Sequence, residues 1–128
     1  MNWFLFLGAL NGALSVALGA FGAHVLEGRI DANLLDTWQT AVRYEMLHAA
    51  GLLVLGLLTI KWQESKLLHW SGWMMLAGII LFSGSLYILC LTGIRRLGAI
   101  TPIGGFLFIG SWILLMIASK KLFSKTES

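Results

Sequence analysis

Charged residues, cysteine and proline are all scarce in this 128-residue sequence. Only 12% of the residues are charged and 58% are hydrophobic, whereas a soluble domain is typically about 25% charged and about 45–50% apolar. This composition excludes an ordinary water-soluble fold. The net charge is only +3, and no basic run extends beyond Lys120-Lys121, which argues against a nucleic-acid-binding protein. The single cysteine, Cys90, excludes an internal disulfide and a cysteine-based metal cluster.

Long stretches with little or no charge predict four membrane-spanning helices. The hydrocarbon core of a bilayer, about 30 Å thick, requires about 20 mostly apolar helical residues. The first stretch, 3–23, favours a retained anchor over a cleaved signal peptide, because it is longer than the apolar region of a signal and no Lys or Arg precedes it. We predict an all-α integral membrane four-helix bundle in a single domain over 1–128, with spans at about 3–24, 44–61, 68–93 and 101–120.

Residues 32–43 differ from the spans because apolar and polar side chains share this segment with helical periodicity. The apolar stripe consists of Leu34, Leu35, Trp38, Ala41 and Val42, and the opposite face carries Asp36, Thr37, Gln39, Thr40 and Arg43. Asp31 is placed to cap the helix N-terminus. The pattern predicts an amphipathic interfacial helix between spans one and two, lying in the interface plane before the chain turns into the second span.

Small residues recur on single faces of the predicted spans. In the third span Ser71, Gly78, Ser85 and Thr92 are seven residues apart, and in the fourth so are Gly104, Ser111 and Ala118. The first span repeats small residues every three or four positions, at Gly8, Gly12, Ser15, Gly19 and Gly22. A seven-residue spacing returns to nearly the same helix face, and small side chains allow close helix contact within lipid. These stripes therefore predict a compact, left-handed bundle.

Lysine and arginine are segregated to opposite ends of the predicted bundle. One end carries both termini and all five lysines: Lys61, Lys66, Lys120, Lys121 and Lys125. The other end carries all four arginines: Arg29, Arg43, Arg95 and Arg96. Because cytoplasmic segments are enriched in Lys and Arg, this excess of one charge predicts a multi-pass protein of the cell membrane with both termini in the cytoplasm.

The arginine end also collects the polar residues that form the candidate site. We predict that a polar or anion-binding cluster there contains His24, Arg43, Tyr44, Glu45, His48, Tyr87, Arg95, Arg96 and Thr101. Tyr44 and Glu45 precede His48 by four and three residues, so each shares a helix face with it. Ionisable residues at membrane depth are costly and are functional hypotheses by default.

Three interpretations of this cluster stay open. In the first, Glu45 pairs with an arginine and the histidines bond to Tyr87 or to backbone, so that the cluster ties helix ends together. In the second, the cluster holds an anionic lipid headgroup or a small anion, favoured by a helix N-terminus at Thr101-Pro102 beside the arginines. In the third, His24, Glu45 and His48 bind a metal or perform acid–base chemistry.

Four segments of the sequence together resemble a known family. They are Gly19-Ala20-Phe21-Gly22-Ala23-His24; Trp38-Gln39-Thr40-Ala41-Val42-Arg43-Tyr44 with His48-Ala49; Phe82-Ser83-Gly84-Ser85-Leu86-Tyr87 with Leu91-Thr92-Gly93; and 97–105. They are similar to the YwdK/YgdD-like small bacterial membrane proteins, a domain-of-unknown-function family with distant eukaryotic four-span relatives. The resemblance implies a four-span architecture and transfers no catalytic residue. It also implies that Gln often occupies the position of Glu45, which weakens a metal or acid–base role there.

The sequence thus favours a non-enzymatic membrane component that binds a lipid, an anion or a partner protein. No catalytic, cofactor-binding or metal-binding residue is assigned, and no cofactor is expected. The expected partners are the lipid bilayer, an anionic lipid headgroup or a membrane protein, with a homo-oligomer as a further option and nucleic acid excluded. The alternatives are a small transporter or oligomeric channel and, third, a membrane enzyme acting on a lipid headgroup.

Overall fold

The computed structural model describes residues 1–127, which form long helices joined by short connections. The helices are α1 (Trp3–Phe21), α2 (Ala32–Lys61), α3 (Lys66–Gly78), α4 (Ser85–Thr92) and α5 (Thr101–Glu127). A π-helical segment, Gly22–Leu26, continues α1, another, Ile79–Gly84, joins α3 to α4, and a 3₁₀ turn, Arg95–Ala99, precedes α5. Four helical stretches are long and apolar enough to cross a membrane. The predicted all-α, four-span architecture is confirmed.

The predicted separate interfacial helix at 32–43 is the first part of α2, which is a single helix from Ala32 to Lys61. Neither Gly nor Pro occurs between Ala32 and Ala50 to end the helix. The apolar stripe is used for packing inside the protein: Trp38 is 1% exposed, and its indole N–H donates to the Leu18 carbonyl at 2.8 Å. The prediction of a turn at this point was therefore wrong, because the amphipathic face meets α1 and α4 rather than the membrane surface.

The lower half of the bundle, toward the lysine end, has a closely packed apolar core. Its fully buried members include Leu52, Leu55, Leu68 and Met75, with Phe108 at its upper edge. A second, smaller cluster toward the arginine end groups Leu26, Trp38, Val42 and Cys90. The two clusters fill the interior at different heights and hold α2 between α1 and the third span.

The seven-residue stripes of small residues lie at helix contacts, as predicted, in all but one position. Gly104, Ser111 and Ala118 are buried on α5, and Ser71, Gly78 and Ser85 are buried on the third span, whereas Thr92 at its end is exposed. The Ser71 hydroxyl donates to the Ser111 carbonyl at 2.7 Å across the two helices. At Gly104, a side chain would meet the backbone of Phe82. Small residues are therefore required where α5 touches the π segment and α3.

Candidate functional site

A groove of about 470 Å³ runs along one side of the bundle, between α1 and the third span. Leu14 of α1 and Ile80 and Ile88 of the third span line it and are 42%, 60% and 52% exposed. Because these apolar rims face outward, the groove opens toward lipid. Leu97 and Ile100 line it where the chain leads into α5.

The only α2 residue that lines this groove is Glu45. Its side chain is 3% exposed, and the Tyr87 hydroxyl donates to its Oε1 atom at 2.8 Å. The other carboxylate oxygen, Oε2, has no hydrogen-bond partner among residues 1–127, and it is not sealed inside the protein. Asn11 of α1 also lines the groove; its amide nitrogen donates to the Leu7 carbonyl at 2.8 Å, and its side-chain oxygen has no hydrogen-bond partner in the described part of the chain. The groove therefore contains two unpaired acceptors, Oε2 of Glu45 and the amide oxygen of Asn11, in an otherwise mostly apolar lining.

The Glu45–Tyr87 pair lies in the outer third of the bundle toward the arginine end. Tyr87 is five residues before the end of α4, which corresponds to about 8 Å along the helix axis. Glu45 is sixteen residues before Lys61, or about 24 Å from the lysine end of α2. The π segment at 79–84 immediately precedes Ser85 and Tyr87 and contributes to the groove wall. Such π-bulges occur frequently at functional sites.

The arginine partner expected for Glu45 in the first interpretation is replaced by Tyr87. Arg43, Arg95 and Arg96 are exposed, and none of their guanidinium groups makes an ion pair or a hydrogen bond within the described part of the chain. Arg43 is two residues from Glu45, and residues at that spacing do not share a helix face. Arg95 instead lines a separate cavity of about 420 Å³ together with Asp31 and Gly93.

His48 is held in the interior by two hydrogen bonds and a stacked ring. The indole N–H of Trp112 donates to its Nε2 at 2.9 Å, and its Nδ1 lies 2.7 Å from the Tyr44 carbonyl. Because an indole nitrogen is a donor only, Nε2 must accept and Nδ1 must carry the proton. The ring of Phe108 stacks on the imidazole with centroids 3.5 Å apart. His48 is therefore a neutral, fully partnered core residue.

Trp112 and Phe108 were missed as partners of the predicted cluster. They lie on α5, sixty or more residues from His48, so no local spacing connects them. One signal was available, because Trp112 is deep in a span rather than near its end, and a buried indole N–H usually finds a partner.

The remaining predicted site residues are dispersed. His24 is exposed in the π segment that ends the first span. Tyr44 is 43% exposed and packs its ring against Phe82, with centroids 4.5 Å apart. Thr101 shares a hydrogen bond of 2.7 Å with the Ser85 hydroxyl. The structure thus joins Glu45 to Tyr87 and Tyr44 to His48, and it leaves His24 and the arginines outside these contacts.

The metal interpretation lacks its ligand set. Within residues 1–127, no three His, Cys, Asp or Glu side chains are grouped as a metal site requires. His48 uses both ring nitrogens in hydrogen bonds, and His24 is exposed at the end of the first span. The three residues of that interpretation therefore have separate environments.

Comparison with known proteins gives a family and no activity. A family model described as "Protein of unknown function (DUF423)" matches residues 18–105. The chain is 53% identical over 121 residues to the UPF0382 membrane protein YwdK of Bacillus subtilis, covering 94% of this chain and 98% of that protein. It is 50% identical to the UPF0382 membrane protein SH2409 of Staphylococcus haemolyticus and 51% identical to SERP0230 of Staphylococcus epidermidis, with the same coverage. No solved structure matches the chain. These matches confirm the resemblance inferred from the sequence motifs, and the chain, a multi-pass membrane protein, belongs to the DUF423 family.

Proposed function

We propose that this protein is a non-enzymatic membrane component that binds an uncharged lipid in the groove between α1 and the third span. The observation that carries the proposal is the free Oε2 acceptor of Glu45 in a lipid-facing, mostly apolar groove. The lipid would carry a hydrogen-bond donor, such as a hydroxyl group, on an apolar body.

The free acceptor supports a ligand that donates a hydrogen bond. A polar group removed from water without a partner costs about 1–3 kcal/mol. Tyr87 satisfies only one oxygen of Glu45, so a hydroxyl entering the groove could satisfy the other. The surrounding leucine and isoleucine side chains offer matching contacts for a hydrocarbon chain.

The charges around the groove favour an uncharged ligand over an anion. The described lining residues include no Lys or Arg, and the only carboxylic acid among them is Glu45. A phosphate there would meet a carboxyl group without a cation to balance it. This argues against the groove as the anion site that the second interpretation envisaged.

The depth of Glu45 also agrees with a lipid hydroxyl. The paired residue Tyr87 lies about 8 Å along the helix from the end of α4. Residues 88–91, between Tyr87 and the end of α4, are apolar, so we place Tyr87 inside the apolar part of the span and below the headgroup layer. A ligand whose donor group sits just under the headgroups would reach Oε2 without burying a charge.

The segregation of lysine and arginine supports a further part of the proposal, that both termini face the cytoplasm. In the structure Lys61, Lys66 and Lys121 lie around a single cavity at one end. Arg43 is on the same helix as Lys61 but toward its other end, sixteen residues before Thr59, which is close to Lys61.

Native mass spectrometry with a defined lipid tests the groove. The probe is dioleoylglycerol, compared with its methyl ether, in which the free hydroxyl is capped and the apolar body is retained. We expect the purified protein in detergent to retain dioleoylglycerol at least about tenfold better than the ether, since a hydrogen bond of about 1.5 kcal/mol is lost. Equal retention of the two lipids would refute hydroxyl recognition.

Variants of Glu45 assign the effect to the groove. We expect Glu45→Leu to abolish the preference for the free hydroxyl and Glu45→Gln, which keeps an acceptor oxygen, to preserve most of it. Glu27→Leu is the matched control, because Glu27 is an exposed glutamate outside the groove lining. A preference that survives in Glu45→Leu, or that is lost equally in Glu27→Leu, would contradict the assignment.

A further inference from the structure

The largest of the described cavities lies at the other end of the bundle, where three helices meet. It measures about 510 Å³ and is lined by Lys61 at the end of α2, Lys66 at the start of α3 and Lys121 near the end of α5. Lys61 and Lys66 flank the short connection between α2 and α3, and the packing of α5 brings Lys121, fifty-five residues after Lys66, to the same space.

The three lysines give this cavity a positive lining. One carboxylate, Glu64, also lines it, so three lysines and one glutamate leave a net charge of +2. Within the described part of the chain, none of the three lysine ammonium groups forms an ion pair or a hydrogen bond. The Lys61 ammonium group lies 4.7 Å from the centre of the Trp62 ring, which orients it at the cavity without neutralising it.

The same cavity has an apolar wall beside its charges. Trp62, Leu67 and Ala118 contribute to this wall, and Ala118 belongs to the buried face of α5. A site with cations on one side and hydrocarbon on the other matches an amphipathic anion. Lysine ammonium groups bind phosphate as point charges, and basic groups at the membrane surface attract anionic lipids.

We propose that this cavity, called here the lysine cavity, binds a phosphate group, as carried by an anionic phospholipid. This site is separate from the lipid groove at Glu45, has the opposite charge and does not depend on the proposed function. The sources of phosphate chemistry are a lipid headgroup and free inorganic phosphate, and the experiment distinguishes them.

The test measures lipid retention by native mass spectrometry after reconstitution in equal amounts of phosphatidylglycerol and phosphatidylcholine. We expect the wild-type protein to be enriched in bound phosphatidylglycerol. The triple variant Lys61→Gln, Lys66→Gln, Lys121→Gln should lose this enrichment, since each lysine near a membrane surface changes anionic-lipid binding by about fivefold. The charge-matched control is Arg43→Gln, Arg95→Gln, Arg96→Gln, which removes the same charge at the other end.

The outcomes distinguish a specific phosphate site in the lysine cavity from non-specific attraction between basic residues and an anionic membrane. Loss of enrichment in the lysine variant with retention in the arginine variant supports the lysine cavity. Equal loss in both variants, or unchanged enrichment in the lysine variant, overturns it. Inorganic phosphate added at millimolar concentration then identifies the source: displacement of phosphatidylglycerol assigns the site to the phosphate group itself, and resistance assigns it to the complete lipid. Far-ultraviolet circular dichroism verifies that both variants remain helical.

Discussion

The hydrogen bond between Trp112 and the buried His48 should make a measurable contribution to the stability of the bundle. The change is Trp112→Phe, which removes the indole N–H and keeps an aromatic ring. Trp112 is 37% exposed, whereas His48 is 1% exposed. The substitution therefore creates little space in the core, and its main effect is to leave Nε2 of His48 without its donor.

The expected size follows from that unpaired acceptor. A buried polar group left without a partner costs about 1–3 kcal/mol. Hydrogen bonds between transmembrane helices, measured by double-mutant cycles, average about 0.6 kcal/mol and reach about 1.7 kcal/mol. Because His48 is also stacked on Phe108 and bonded to the Tyr44 carbonyl, it cannot turn to another partner. We expect Trp112→Phe to lower the free energy of unfolding by about 1–2 kcal/mol and the pair to be coupled by about 1 kcal/mol.

The assay is unfolding in mixed micelles with increasing sodium dodecyl sulfate, followed by far-ultraviolet circular dichroism. The cycle consists of the wild type, Trp112→Phe, His48→Leu and the double variant. Trp70→Phe is the control, because Trp70 is 63% exposed and its indole N–H forms no hydrogen bond within the described part of the chain. A coupling energy indistinguishable from zero, or an equal effect of Trp70→Phe, would refute the role assigned to this hydrogen bond.

Further predictions concern helix contacts, topology and assembly. Gly104→Ala should destabilise the protein by about 1–3 kcal/mol, because the new methyl group meets the Phe82 backbone; Gly12→Ala, with nothing within 4 Å of the added atom, should be neutral or stabilising in the same unfolding assay. Ser83→Ala should cost about 0.5–1.5 kcal/mol through loss of the 2.8 Å hydrogen bond to the Ala41 carbonyl, with exposed Ser124→Ala as the control. A reporter fused after Ser128 should be cytoplasmic, and one inserted at Arg96 should be external; the reverse pattern would contradict the proposed orientation. Native mass spectrometry in detergent should show a monomer with retained lipid, whereas a symmetric oligomer would favour the channel alternative.

The sequence alone was sufficient to predict the four spans and much of their contact faces. Length and hydrophobicity determine whether a helix can cross a bilayer, and both are local properties of the chain. The seven-residue stripe at Gly104, Ser111 and Ala118 also records helix packing directly, because close contact in lipid requires small side chains wherever it occurs. These features need no knowledge of which helix is the neighbour.

The sequence was also sufficient to identify Tyr44, Glu45, His48 and Tyr87 as polar residues within the spans. It could not identify their partners. The first of the three interpretations paired Glu45 with an arginine, yet its partner is Tyr87, forty-two residues away. His48 was expected to bond to Tyr87 or backbone, and it bonds to the Tyr44 carbonyl and also to Trp112, sixty-four residues away. The cost of an unpaired polar group predicts that each finds a partner, while the choice depends on the packing of distant helices.

Tertiary structure alone decided three further features. The amphipathic stripe at 32–43 could equally have covered a membrane surface, and only the helices beside it show that it packs inside the protein as part of α2. The groove at Glu45 is bounded by residues of α1, α2 and the third span, and the lysine cavity by the adjoining ends of α2, α3 and α5, so neither exists until these helices pack together. Hydrophobic periodicity shows which side of a helix avoids water, but in a membrane lipid and protein are both apolar, so only the assembled bundle distinguishes them.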